Sequence, residues 1–165
     1  MTPGLRVVLD TDFLSAFLKI DQLPLVRESL GVDEFLIPPA VLREIGQANL
    51  LPRIVDMPWI VVQSPDTTKA QALRFEDLSS GLGPGEREAI AICLERQDSV
   101  LLMNDNRARA VAARLGVKAL NIPTFLLEAK LSSSLSQAQI EALVVALEKF
   151  DRYGFKKAIR EELLS

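Results

Sequence analysis

Residues 6–13 read R-V-V-L-D-T-D-F, and the rest of the chain is organised around this segment. Its first four residues are mostly apolar and rich in valine, without polar alternation, so we predict a short strand that is buried on both faces. Asp10 and Asp12 come directly after it, at the end of a strand where open α/β sheets place their ligands. A helix is predicted to follow, and Thr11 or Asp12 could cap it, but capping leaves the charge of Asp10 unexplained.

The composition predicts one domain, or one domain with a tail. The chain has 165 residues, of which 48% are hydrophobic and only 5% are aromatic, so we expect an aliphatic core of Leu, Val, Ile and Ala. No apolar run approaches the roughly 20 residues that span a bilayer, and the N-terminus lacks a signal-peptide pattern. Cys93 is the only cysteine, which excludes an internal disulfide and agrees with a reducing cytosol. We therefore expect a cytoplasmic protein without a membrane partner.

The titratable residues limit the chemistry that the chain can perform. It contains no histidine, which removes Ser-His and Cys-His nucleophiles and imidazole-based zinc sites. Its net charge is -3 and its pI is about 5.1, whereas non-specific nucleic-acid binders are usually basic. Any contact with a polyanion must therefore be local or must go through a metal ion.

Apolar segments of two kinds alternate along the chain. Short valine- and leucine-rich runs predict strands, and longer amphipathic runs predict helices, which together indicate βαβ units. The strands are expected at residues 6–9, 34–37, 59–63, 99–103 and 117–121, and the helices at 13–20, 23–30, 40–48, 69–78, 86–96, 107–115, 123–130, 137–150 and 156–164. The predicted fold is a three-layer α/β/α sandwich with a central parallel sheet of about five strands. We expect a domain at residues 1–131 and a C-terminal helical extension at 132–165.

Four acidic residues lie at the carboxyl ends of predicted strands or on helices that come after them, one of them at the start of the helix that follows the glycine-rich loop. Because parallel strands end at one edge of a sheet, and the early and late strands lie next to each other there, these residues are expected to share that edge. They are Asp10, Glu44, Glu86 and Asp105, with Glu88 close enough to Glu86 to leave that assignment open.

Such a group of carboxylates needs a counter-charge. Two like charges ~4 Å apart repel by about 4 kcal/mol at an effective dielectric constant near 20. Oxygen ligands without His or Cys indicate a hard cation, Mg²⁺ or Mn²⁺. Such an ion can activate water and hold the oxygens of a phosphodiester during in-line attack.

Each acidic residue also has an ordinary structural interpretation. Asp105 could be an N-cap between two asparagines, and Glu86 could simply favour a helix N-terminus. Glu44 could be a solvated helix residue paired with an arginine. For any one residue this interpretation is at least as good, but four coincidences at one edge of the sheet are much harder to accept.

Four segments together resemble PIN-domain proteins, especially small prokaryotic members related to the ribonuclease toxins of toxin–antitoxin pairs. The segments are V-V-L-D-T-D-F-L at residues 7–14, P-P-A-V-L-R-E-I at 38–45, G-P-G-E-R-E-A-I-A-I-C-L-E at 83–95 and L-L-M-N-D-N-R-A-R-A-V-A-A-R-L-G-V at 101–117. The resemblance covers about residues 6–130 and rests on the order and spacing of these motifs.

The resemblance implies a metal-dependent ribonuclease. Its catalytic, metal-binding quartet would be Asp10, Glu44, Glu86 and Asp105, with Thr11 matching the family's small hydroxyl residue. Glu86 stands where many members have aspartate, and Asp12 where many have asparagine or serine. The possible auxiliary residues are Thr11, Asp12 and Glu88, and the possible RNA-binding residues are Arg107 and Arg109.

The resulting hypothesis is an endoribonuclease that uses Mg²⁺ or Mn²⁺, acts as a toxin and pairs with an antitoxin protein. A homodimer is a further expectation, from the apolar helices. One alternative is a non-catalytic PIN-like module that binds nucleic acid or protein. A weaker one is a haloacid-dehalogenase-type phosphatase with Asp10 as nucleophile and Asp12 as acid/base. That chemistry needs a lysine, and Lys69 is the only one between the second strand and Asp105.

Overall fold

The first predicted strand lies at the centre of a five-stranded, all-parallel sheet. A computed structural model describes residues 4–66 and 81–165. The strands are β1 (Arg6–Leu9), β2 (Phe35–Ile37), β3 (Ile60–Val62), β4 (Ser99–Leu102) and β5 (Lys118–Leu120). Their order is β3-β2-β1-β4-β5. The predicted α/β class with a parallel sheet of about five strands is confirmed.

Helices connect the strands and cover both faces of the sheet. In the described parts of the chain they are α1 (Thr11–Lys19), α2 (Leu23–Leu30), α3 (Pro39–Gln47), α4 (Pro84–Leu94), α5 (Asn106–Arg114), α6 (Ile122–Leu131), α7 (Gln137–Ala146) and α8 (Lys157–Leu164). A short 3₁₀ turn occupies Leu51–Arg53. None of the helices described in these two ranges is both long enough and apolar enough to cross a bilayer.

Two hydrophobic clusters lie on opposite faces of the sheet, as the alternation of β1 requires. Val7 and Leu9 belong to the larger cluster, which also contains side chains of α1, α6, α7 and α8. Val8 points the other way into a smaller cluster with α4 and α5. Successive side chains of a strand face opposite sides, so an apolar run of this kind forms only where both sides are covered.

The larger core is more aromatic than the composition suggested. Phe13, Phe17 and Phe125 are buried together, with ring centroids 5.1 to 6.2 Å apart. Phe35 is also buried and lies edge-on to Trp59 at 5.8 Å. The expectation of a purely aliphatic core is therefore wrong, because four of the described phenylalanines are buried in it.

The order of the strands creates a switch point between β1 and β4. From β1 the chain builds outward through β2 and β3 on one side, and then crosses to build β4 and β5 on the other. Leu9 pairs in register with Leu102, and the Asp10 N–H donates to the Leu102 carbonyl at 3.0 Å. Helices α1 and α5 then leave toward opposite faces, which opens a crevice of the kind in which α/β sheets bind ligands.

Most predicted element boundaries agree with the structure to within two residues. The predicted helix at 69–78 lies outside the described residues. The predicted helix at 137–150 ends at Ala146 and continues as a single π-turn, Leu147–Asp151, followed by Arg152 with a left-handed φ of 56°. The helical pattern of the sequence continues without interruption to residue 150, so it does not predict the extra residue of the π-turn.

The C-terminal helices share the larger core. Ile140, Leu143 and Val144 of α7, together with Leu147 and Leu163, are buried in the cluster that contains the phenylalanines of α1. The division at residue 131 stays a prediction.

Candidate active site

A pocket of about 220 Å³ opens at the carboxyl ends of β1 and β4, at the switch point of the sheet. All four members of the predicted quartet line it. The lining consists of Asp10, Thr11, Asp12, Glu44, Gly83, Glu86 and Asp105. Five carboxylates thus face one small space, and none of these lining residues carries a positive charge. The first strand, α3, α4 and the turn after β4 bring the groups together from distant parts of the chain.

Asp10 lies deepest, with only 4% of its surface exposed. It occupies the N-cap position of α1, but its side chain makes no capping hydrogen bond. Burial raises the pKa of this carboxyl from 3.8 to about 7, and the nearby charges of Glu86, Asp12 and Glu44 add to the rise, while a backbone hydrogen bond from Thr11 opposes it. The Thr11 hydrogen bond therefore compensates only part of the cost of a negative charge at this place.

Glu44 projects from α3 toward the pocket and is tied to α1. The Thr11 hydroxyl donates to Glu44 Oε2 at 2.5 Å, so the small hydroxyl residue orients the second member of the quartet. On its other side Glu44 is close to Gly85, where a Cβ would come within 3.1 Å of Oε1 and 3.3 Å of a Val41 methyl carbon. A glycine at the start of α4 thus allows α3 to approach and present Glu44.

Glu86 and Glu88, which the sequence left unresolved, have different positions. Glu86 lines the pocket, and its Oε1 accepts a hydrogen bond from the Gly83 N–H at 2.9 Å. Glu88 instead accepts the Ala40 N–H at 2.9 Å, in the first turn of α3. Residues two apart on a helix point in different directions, so only one of the pair faces the pocket. Glu88 therefore anchors α3 against α4.

Burial raises the pKa of Glu86, and the charges of Asp105, Asp12 and Glu44 contribute to the rise, against the lowering effect of the Gly83 hydrogen bond. Burial also raises the pKa of Asp12, with Glu44 and Asp105 as the next largest causes. The carboxylates of the pocket therefore influence one another electrostatically, although they belong to four separate segments.

Asp105 has both of the roles considered for it. Its Oδ1 accepts the Ala108 N–H at 2.8 Å, so it is the N-cap of α5, and its side chain also lines the pocket. Capping fixes the side chain of an otherwise exposed residue at the edge of the site. The structural interpretation and the functional one are therefore compatible.

The two arginines predicted to contact RNA do not line the pocket. The Arg107 guanidinium lies against Gly81, where a Cβ would be 2.6 Å from Nη1. Arg109 donates to the side chain of Asn106, and its Nε is buried without a hydrogen-bond partner in the described residues. Their contact with RNA stays a prediction.

A family model described as DUF3368: PIN domain matches residues 6–164. The chain belongs to the PIN-domain family. The resemblance inferred from the motifs is thus confirmed, and the match extends beyond residue 130 through α7 and α8. PIN domains are generally nucleases, and they generally use divalent metal ions. A search of curated proteins gave no match.

The lining of the pocket suits a hard divalent cation by its chemistry. Carboxylate oxygens are the ligands that Mg²⁺ and Mn²⁺ take, and soft or imidazole ligands are absent from the lining. The raised pKa of the buried Asp10 is what a cation would reverse. Within residues 4–66 and 81–165, no three acidic or cysteine groups already stand close enough to hold one ion.

Three supporting residues of this PIN domain were missed at the sequence level. Asn104 Oδ1 accepts the Ile122 N–H at 3.0 Å and so joins the turn after β4 to the start of α6. Gly85 allows the contact between α3 and α4, and Asp151 lies near Asp12 and adds to the rise of its pKa. The asparagine beside Asp105 and the glycine beside Glu86 were visible signals, but the approach of Asp151 depends on how the C-terminal segment packs.

Proposed function

We propose that this PIN domain is a metal-dependent endoribonuclease that hydrolyses phosphodiester bonds of single-stranded RNA, and that it acts as the toxin of a toxin–antitoxin pair. The observation that carries the proposal is the pocket at the switch point, where four other carboxylates lie around the buried Asp10. Like charges are retained in such a place when a cation offsets their repulsion. The antitoxin partner, a homodimer and a cytoplasmic location belong to the same proposal.

In this proposal Asp10, Glu44, Glu86 and Asp105 hold Mg²⁺ or Mn²⁺. The bound ion supplies an activated water and stabilises the charge on the phosphodiester oxygens. The chain itself holds the ligands in place. The Thr11 hydroxyl orients Glu44, the Gly83 N–H orients Glu86, and capping of α5 orients Asp105.

The direct test is cleavage of varied single-stranded RNA by the purified protein with Mn²⁺, with Mg²⁺ and with EDTA. We expect cleavage with the ions and none with EDTA. Intact RNA with either ion, together with no divalent binding by calorimetry, would contradict the proposal. Divalent binding without cleavage would instead favour the non-catalytic PIN-like module.

The phosphatase alternative has less support from the site. Asp12, the acid/base of that scheme, lies in the first turn of α1. That chemistry needs a lysine in the site, and no lysine lines the pocket among the described residues. Lys69, the candidate from the sequence, lies outside those residues.

The pair Glu86 and Glu88 offers a matched test of the site. Glu86→Gln removes a charge from the pocket, and we expect RNA cleavage to fall at least about 100-fold, the upper end of the effect seen when a supporting residue of a metal site is lost. Glu88→Gln keeps an oxygen that accepts the Ala40 N–H, so cleavage should stay close to that of the unmodified protein. Equal losses in single-turnover assays of the two variants would show that Glu86 has no special role.

Thr11 provides a second test, through the orientation of Glu44. Thr11→Val keeps the shape of the side chain but removes its hydroxyl, and we expect Mn²⁺ affinity to fall about 10- to 100-fold. Thr11→Ser retains the donor and is the control. Calorimetric titration of both variants checks this, and an unchanged Mn²⁺ affinity in Thr11→Val would mean that the hydrogen bond does not organise the site.

A further inference from the structure

The segment between α7 and α8 combines cationic and aromatic residues. Residues 149–157 read K-F-D-R-Y-G-F-K-K, with four cationic side chains, three aromatic rings and one carboxylate, in a chain whose net charge is -3. Surfaces that bind single-stranded nucleic acid typically alternate in this way, because cations follow the backbone while rings stack on bases.

One ring of this segment is available at the surface. Phe150 is 59% exposed, and the Lys149 ammonium lies 5.2 Å from the centroid of its ring. Tyr153 and Phe155 are only partly buried, and their rings pack against each other with centroids 4.8 Å apart. An exposed aromatic ring of this size loses apolar hydration when a planar partner covers it.

The segment is held against α1, the helix whose first turn lines the acidic pocket. Lys19 of α1 forms an ion pair with Asp151 at 2.9 Å, which neutralises the one carboxylate of the segment and ties it to the helix that carries Thr11 and Asp12. Asp151 is also among the charges that add to the rise in the pKa of Asp12, after the larger effect of burial.

Tyr153 of the segment lies within electrostatic range of Arg109 on α5. Burial raises the pKa of the Tyr153 hydroxyl, and the positive charge of Arg109 opposes that rise. The segment therefore contacts α1 and lies within electrostatic range of α5, the two helices that leave the pocket. Lys149, Arg152 and Lys156 are exposed there.

This arrangement answers an electrostatic difficulty of the site. A pocket lined by five carboxylates repels a polyanion, so a substrate strand needs cationic contacts close by. We propose that residues 149–157 form the surface on which single-stranded RNA docks beside the pocket, with Phe150 stacking on a base and Lys149 and Arg152 contacting phosphates. The inference rests on the proposed function, since it names how that substrate is held.

The stacking contact is tested by binding, without cleavage. In the full chain carrying Asp10→Asn, the Kd for a fluorescently labelled, mixed-sequence single-stranded RNA is measured by anisotropy in EDTA. Adding Phe150→Ala should weaken binding about tenfold, within the range for loss of one base–aromatic stack. Leu131→Ala, at a position that is 85% exposed on α6, is the matched control and should leave the Kd within about twofold.

The phosphate contacts are tested by the dependence of binding on salt. Replacing Lys149 and Arg152 together by glutamine should reduce the slope of log K against log salt by about 1.4, since each cation on a single strand contributes about 0.7. Lys118→Gln removes an exposed cation on β5 and should not change the slope. The same RNA as a duplex should bind more weakly, because its bases are not available for stacking.

The docking proposal is overturned if the Asp10→Asn protein binds no RNA, or if Phe150→Ala and the glutamine pair bind as their controls do. It is also overturned if these substitutions leave RNA affinity unchanged but alter the sedimentation mass, which would assign the segment to a protein contact. The outcome is separable from that for catalysis. If the docking variants bind RNA normally and the unmodified protein cleaves RNA, only the docking proposal is contradicted. If the docking variants bind RNA more weakly but the unmodified protein never cleaves it, only the nuclease proposal is contradicted.

Discussion

Replacing Asp10 with asparagine is expected to abolish RNA cleavage and, at the same time, to stabilise the metal-free protein above neutral pH. The loss of cleavage should be at least about 1,000-fold, the scale for removing an essential group of a catalytic unit. The gain in stability follows from the burial of Asp10, which places its carboxyl where the ionised form is penalised. Asparagine has nearly the same shape and cannot ionise.

The pKa of Asp10 determines the pH range of this stability effect. The carboxyl has an ordinary pKa of 3.8 and a folded-state pKa of about 7. Below pH 3.8 it is protonated in both states and costs nothing. As the pH rises toward 7 the unfolded chain ionises first, so the free energy of unfolding falls by about 4 kcal/mol in total and then stays constant.

Urea unfolding in EDTA at pH 4 and pH 8 measures this effect. The unmodified protein and Asp10→Asn should be similarly stable at pH 4, and the variant should be more stable at pH 8 by up to about 4 kcal/mol. Asp98→Asn is the control, because Arg96 lowers the pKa of that exposed carboxyl, so its replacement brings no gain at pH 8. Equal stability of Asp10→Asn and the unmodified protein at pH 8 would show that Asp10 is not penalised by burial.

Truncating Leu143 to alanine is expected to destabilise the whole chain by about 2 to 5 kcal/mol, the usual cost of this change in a core. Leu143 lies in α7 with 2% of its surface exposed, in the cluster that includes Phe13 and Phe17 of α1. Typical domains have only 5 to 15 kcal/mol of stability, so the effect is a large part of the total. If α7 and α8 complete the core, the loss should appear as one cooperative transition.

Val145→Ala, on the same helix but at a position 56% exposed, provides the control and should change stability by less than about 0.5 kcal/mol. Circular dichroism and tryptophan fluorescence should follow the same urea curve. The reason is that Trp59, which directly precedes the edge strand β3, packs against the same core. Two separate transitions, with Leu143→Ala affecting only one, would instead support an independent unit at residues 132–165.

Several features of the site could be predicted because they depend on local pattern. The apolar run ending at Asp10 predicts a buried strand, and acidic residues after successive strands predict a shared edge, as the pocket shows. The motif order was enough to infer the family that the match confirms. Other features depend on packing between distant segments. The hydrogen bond from Thr11 to Glu44 and the approach of Asp151 to α1 join residues far apart in sequence.

The sequence by itself determined the alternating α/β order, the parallel sheet and the acidic residues near the ends of its strands. Local periodicity and residue type are enough to specify these features. Only the tertiary structure decided which of Glu86 and Glu88 enters the pocket, since that depends on how α4 is rotated against α3. It also decided that the C-terminal segment lies beside the site. Side-chain direction and long-range contacts arise from packing the whole chain, and no local pattern specifies them.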